Sequence, residues 1–179
     1  MEWQAGENDA DSLAFSIAPD DYWQLIDCIT IVSYQHKAVT SLEGHNKAES
    51  SPLQSARVES SPKRLQICKE AILKRDFFAF AETVELDSNM MHAVMMTSTP
   101  PLFYWRPETI RIMQAVFQWR REGLPVCYTI DAGPNIHVIC ERETAPLIVE
   151  GLSRLDGVLS VLSSEPGGAA QLTAGITHK

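Results

Sequence analysis

The spacing of apolar positions changes along the chain from a two-residue to a helical period and back. Ser12 to Ala18 alternates weakly, with Leu13, Phe15 and Ile17 on one face, the period of a half-buried strand. Leu25 to Tyr34 is richer in β-branched residues (Ile26, Ile29, Thr30, Ile31, Val32) and predicts a central strand. His36 to Asn46 is polar and carries Gly44, which predicts a loop. From Ser51 to Thr97 the period is helical. Ser61-Pro62 predicts a helix start, because proline in a first turn lacks only an N–H that would be unpaired there. Leu65, Cys68 and Ile72 then share a face. A break is expected near Asp76, followed by a stripe of Phe77, Phe80, Ala81, Val84, Met91 and Met95 that ends at Thr99-Pro100-Pro101. The Met90, Met91, Met95, Met96 group reads as core packing.

The next helix has Pro107 in its first turn, Glu108 facing the dipole, and a stripe of Ile110, Met113 and Phe117 flanked by Ile112 and Val116. Arg120 and Arg121 fall in its last turn, and Gly123 stops it ahead of Pro125. Val126 to Ile130 and Ile136 to Cys140 predict two strands joined by a turn at 131–135. Thr144 is the expected cap of a helix carrying Leu147, Ile148, Leu152 and Leu155 and stopping at Gly157. Val158 to Leu162 predicts a last strand, and 165–179 a frayed, flexible Gly/Ala/Thr-rich tail. The order is that of an α+β fold: a mostly antiparallel sheet with helices packed on one side, over residues 1–164.

Composition narrows the function classes. At 179 residues, 45 % hydrophobic and 21 % charged, the chain can bury a core. Its net charge of −8, from 15 basic and 23 acidic residues, argues against a nucleic-acid binder. The first 36 residues hold seven acids and no Lys or Arg, a solvated acidic edge. No apolar run approaches the roughly 20 residues needed to span a bilayer, so no membrane partner is expected. Met1-Glu2-Trp3-Gln4 shows no signal-peptide pattern. Cys28, Cys68, Cys127 and Cys140 are scattered, as in a cytoplasmic protein with reduced, buried thiols, and no ligand spacing suggests a metal site.

Three segments could carry chemistry. Asp131 lies where a strand hands over to Ala132-Gly133-Pro134-Asn135, and a carboxylate held there can act as a general base or cap the turn. Thr40-Ser41-Leu42-Glu43-Gly44-His45 is either an anion-facing hydroxyl loop or an ordinary polar loop. His92, on a helix with an apolar face, is either a satisfied core histidine or a catalyst. Nucleophile-elbow, zincin, Walker and dinucleotide motifs are missing.

These segments together resemble the diphosphomevalonate decarboxylases of the GHMP kinase superfamily. The resemblance is carried, in order, by Glu2-Trp3-Gln4, Ser41 with Gly44, Ser51-Pro52-Leu53, Lys74-Arg75-Asp76-Phe77, Asp87-Ser88-Asn89, His92-Ala93, Thr99-Pro100-Pro101 and, most specifically, Tyr128-Thr129-Ile130-Asp131-Ala132-Gly133-Pro134-Asn135. It implies a GHMP C-terminal, ferredoxin-like domain. The implied activity is ATP-dependent, Mg²⁺-requiring decarboxylation of mevalonate 5-diphosphate to isopentenyl diphosphate, in isoprenoid biosynthesis by the mevalonate pathway.

Asp131 then matches the base or orienting group beside the substrate's 3-hydroxyl. Ser41 and Gly44 match a loop facing the substrate diphosphate, and Ala132 is a further substrate-binding position. His45 and Leu42 depart from that loop, which leaves a phosphomevalonate decarboxylase or another GHMP-type kinase as an alternative. Family members are nearly twice as long. The chain is therefore expected to be the C-terminal half, inactive alone, with ATP and Mg²⁺ bound mainly through an N-terminal half. Homodimerisation or pairing with an N-terminal domain is expected. A non-catalytic interaction module is the remaining alternative.

Overall fold

The structure, a computed structural model, describes residues 1–4, 6–8, 10–35 and 47–168. Strands β1 (Glu2–Gln4) and β2 (Leu13–Phe15) form a two-stranded antiparallel ribbon. The main sheet contains β3 (Leu25–Ile31), β4 (Val126–Thr129), β5 (Ile136–Glu141) and β6 (Ser160–Ser164). Helices α1 (Gln54–Lys74), α2 (Phe77–Met96) and α3 (Pro107–Arg121) lie between β3 and β4, and α4 (Ala145–Ser153) lies between β5 and β6. The sheet order is β4-β5-β3-β6 and every neighbouring pair is antiparallel, which is the ferredoxin-like βαββαβ arrangement with a helical insertion. The expected α+β class is the one observed.

The period-two pattern produces the core. Val126, Tyr128 and Ile130 alternate with Ile136, Val138 and Cys140 across the β4–β5 hairpin, and all are buried against Ile112 and Val116 of α3 and Ile148 and Leu152 of α4. A second cluster forms where Trp23, Phe77 and Phe80 meet edge to face around Cys127, with Ala71 beside them. Arg75, in the left-handed region at φ 53°, closes α1, and the Asp76 carboxylate accepts from the Ala79 N–H at 3.1 Å to open α2. The break expected at Asp76 is therefore a C-cap followed directly by an N-cap.

Several expectations are corrected. Pro62 does not begin a helix but sits inside α1, which starts eight residues earlier, just after Ser51-Pro52. A mid-helix proline leaves the carbonyl four residues back without its N–H partner. Here the Ser61 hydroxyl donates to the Val58 carbonyl at 2.9 Å, and the buried Arg64 Nη2 donates to the Arg57 carbonyl at 3.0 Å. The inward face of α1 consequently carries Arg64 and Ala71, while Leu65 is exposed.

In α3 the buried residues are Thr109, Ile112 and Val116, and the expected stripe members Ile110 and Phe117 face solvent. Thr144 does not cap α4 with its side chain, since its hydroxyl donates back to the Glu141 carbonyl at 2.9 Å. That helix ends at Ser153, ahead of Gly157, and the last strand lies two residues later than expected. Leu13 and Phe15 are exposed, because β2 pairs only with β1. Of the methionine group only Met95 is buried. The 36–46 loop and the tail from residue 169 lie outside the described residues.

Among the described residues, no helix is long and apolar enough to cross a membrane. Cys28, Cys127 and Cys140 are buried free thiols and Cys68 is half-buried.

Candidate active site

β4 is an edge strand, and an uncovered edge exposes alternate N–H and C=O groups. The side chains of one face of α2, spaced at i, i+3 and i+7, fill that requirement. Glu85 accepts the Tyr128 N–H at 3.3 Å, Ser88 Oγ accepts the Ile130 N–H at 3.0 Å and donates to the Ile130 carbonyl at 3.2 Å, and His92 Nε2 reaches the same carbonyl at 3.2 Å. Burial pushes the His92 pKa down, which keeps the ring neutral; because its partner is a carbonyl, Nε2 carries the proton. His92 is thus a satisfied, buried histidine, packed beside Tyr104 and Trp105. Glu85 is itself held by a two-pronged pair with Arg120, whose Nη2 lies 2.7 Å from Oε2. The Glu85 contact raises the Arg120 pKa further. Polar positions that look like interruptions of the α2 stripe are therefore its means of gripping β4.

The residue after Ile130 is Asp131. The turn that begins there is fixed at its far end as well. Asn135 Oδ1 accepts the Val32 and Ser33 N–H groups at 3.0 and 3.1 Å, and the Thr109 hydroxyl donates to the Pro134 carbonyl at 3.2 Å. Gly133 is buried at φ +46°, where a Cβ would lie 3.0 Å from the Tyr104 carbonyl oxygen, so this corner requires glycine. Backbone held on both sides leaves Asp131 exposed and Ala132 half-buried at the rim of a cleft of about 360 Å³. Met91, Val94 and Met95 form the apolar wall of that cleft, and Glu49, Gln54 and Arg57 its polar side.

Asp131 and its sequence neighbour Ala132 both line this cleft. Ser41 and Gly44 lie outside the described residues. Pattern reading gives no role to Ser88, which braces the turn, or to Arg57, which lines the cleft. Ser88 carried a signal in retrospect, as a small hydroxyl at helical spacing from His92. Arg57 carried none, because the α1 start was misplaced. Among the described residues there is no group of three or more His, Cys, Asp or Glu side chains arranged to hold a metal ion.

An antiparallel ferredoxin-like domain that holds a carboxylate on a braced hairpin turn over a half-polar cleft defines a class of small-molecule site. Comparison with known proteins identifies the class. The family model for the mevalonate 5-diphosphate decarboxylase C-terminal domain matches residues 28–164, and the chain belongs to that family. It is 36 % identical over 161 residues to the diphosphomevalonate decarboxylase of Ganoderma lucidum, covering 84 % of this chain and 40 % of that protein. The crystal structure of mevalonate diphosphate decarboxylase from Staphylococcus aureus superposes with a TM-score of 0.84 at 26 % identity, over 93 % of this chain and 51 % of that one. A structure of MDDEF in complex with MVAPP, AMPPCP and magnesium gives a TM-score of 0.84 at 27 % identity, again over 93 % of this chain and 51 % of that one. The chain thus spans less than half the length of this curated relative.

Proposed function

We propose that this chain is the C-terminal lobe of an ATP-dependent decarboxylase that converts mevalonate 5-diphosphate to isopentenyl diphosphate, a carboxy-lyase of the cytoplasm, with residues 1–164 forming the lobe and 165–179 its tail. The observation that carries the reading is the placement of Asp131: exposed at a cleft, on a turn whose backbone is braced from α2, α3 and β3. A related structure that holds MVAPP, AMPPCP and magnesium supports the choice of ligands.

A tertiary alcohol is a poor nucleophile and gains more from alignment and proton removal than from a covalent intermediate. In this reading the Asp131 carboxylate accepts the proton of the 3-hydroxyl as that oxygen bonds to the terminal phosphorus of ATP and ADP leaves. The C3–O bond then breaks with loss of phosphate. The electrons of the carboxylate C–C bond form the new double bond, and CO₂ departs. Ala132 and the apolar wall of Met91, Val94 and Met95 line the cleft in which this reading places the reacting carbon. Ser41 and Gly44 are assigned to the substrate diphosphate. ATP and Mg²⁺ are assigned to the portion that relatives carry outside the matched span, and the lobe pairs with that portion or with a second copy.

The test is turnover of mevalonate 5-diphosphate with ATP and Mg²⁺ by the chain alone and mixed with the N-terminal half of a relative, with the monophosphate as the competing substrate. Asp131→Asn keeps the shape and removes the base, and its expected effect is a loss of about 10²-fold or more in kcat. Retained activity would return Asp131 to a turn-capping role.

A further inference from the structure

We propose that Arg57 is an oxyanion-binding residue of the Asp131 cleft, taking a phosphate or carboxylate group of the ligand on its guanidinium. The inference rests on the functional reading above for the identity of the cleft and goes beyond it in naming the cation. Among the described residues lining the cleft, the charged ones are Glu49, Asp131 and Arg57. Two carboxylates facing one small volume repel an anionic ligand unless a cation offsets them. Arg57 is that cation.

Its present engagement is weak. Among the described residues its acid partner is Asp87, with Oδ2 3.7 Å from Arg57 Nη2, beyond hydrogen-bond reach. That same carboxylate is held at 2.9 Å by the Nε of Arg64, whose side chain is only 7 % exposed. Two guanidinium groups therefore share one carboxylate, and the surplus positive charge falls on the arginine that reaches the cleft. Arg64 has its Nη1 and Nη2 committed to Ser60 and to the Arg57 carbonyl, so it cannot move toward a ligand. Arg57 Nε is buried and makes no hydrogen bond, as is Oε1 of Gln54 one turn before it on the same side of α1. A buried donor without a partner is destabilising. A small rotation of the guanidinium toward a bound oxyanion would satisfy Nε and Nη2 in a single two-pronged contact, the geometry guanidinium groups favour.

The test follows the Arg57 Nε–Hε resonance of the ¹⁵N-labelled full chain, which burial protects from exchange. It is titrated with inorganic pyrophosphate and, separately, with acetate, each against chloride at equal ionic strength. The expected result is a saturable shift at Arg57 with a smaller one at Arg64, and a loss of affinity of about tenfold or more in Arg57→Gln with partial retention in Arg57→Lys. A shift with pyrophosphate assigns the position to a phosphate, and a shift with acetate alone assigns it to a carboxylate. No saturable shift with either, or an Arg64 Nε–Hε shift that titrates with unchanged affinity in Arg57→Gln, overturns the proposal. Neither titration depends on turnover, so failure here leaves the Asp131→Asn result standing on its own.

Discussion

Ser88→Ala is the most direct probe of how the fold delivers its carboxylate. Ser88 is 4 % exposed and Ile130 is 2 % exposed, so water does not replace the lost hydroxyl. The substitution removes an acceptor 3.0 Å from the Ile130 N–H and a donor 3.2 Å from the Ile130 carbonyl. The carbonyl keeps His92 Nε2 at 3.2 Å, so the main loss falls on the N–H. An orphaned buried donor costs about 1–3 kcal/mol. Taking about 2 kcal/mol, urea unfolding should show the midpoint moving down with an unchanged slope. The Tm should fall by roughly 4–8 °C for a chain of this size. The loss should also be local: the Ile130 amide should exchange with solvent roughly 30-fold faster, the equivalent of about 2 kcal/mol. A change below about 0.5 kcal/mol, with Ile130 protection intact, would mean that α2 does not hold the β4 edge and that Asp131 is placed by the turn alone.

Other outcomes follow from the same contacts. Glu85→Ala strands the Arg120 guanidinium and the Tyr128 N–H, with Glu85 and Arg120 side chains only 11 % and 14 % exposed, and should cost about 3–5 kcal/mol by urea unfolding. His92 is pushed below its ordinary 6.5 in the folded state by burial, so between its folded value and 6.5 the unfolded chain binds more protons. Its contribution to stability is therefore complete above about pH 6.5 and is lost as pH falls below that. His92→Gln should flatten this acid-side slope in unfolding measurements from pH 5 to 8, and an unchanged slope would assign the titration to another group.

Pattern reading recovered the strands of the main sheet, the break at Asp76 and the α3 boundaries because each is governed by local chemistry. β-branched alternation, an N-cap carboxylate and a Pro-first, Gly-last helix act within a few residues of themselves. It failed at Pro62 for an equally physical reason. The rule that proline begins helices assumes nothing else will satisfy the freed carbonyl, whereas Ser61 and Arg64 supply donors around the gap. It chose the wrong face of α3 because Ile110, Met113 and Phe117 and the flanking Ile112 and Val116 make overlapping stripes, and only the position of the sheet selects between them. The position of Asp131 at a hairpin turn is legible in the sequence, and its role there is what the family resemblance implies. The partners that brace the turn come from helices far away in sequence, and Ser88, Thr109 and Asn135 look like ordinary polar residues until β4 lies beside them.

The amino-acid order alone determined the α+β class, the hairpin and the identity of the carboxylate at its bend, since these depend on neighbours a turn or a strand apart. What only the tertiary structure decided was which side of each helix faces inward, how the open edge of β4 is satisfied, and that Arg57 and Asp131 share one cleft. Those outcomes depend on donors, acceptors and surfaces that meet only after long stretches of chain have closed on each other, and no local period records that meeting.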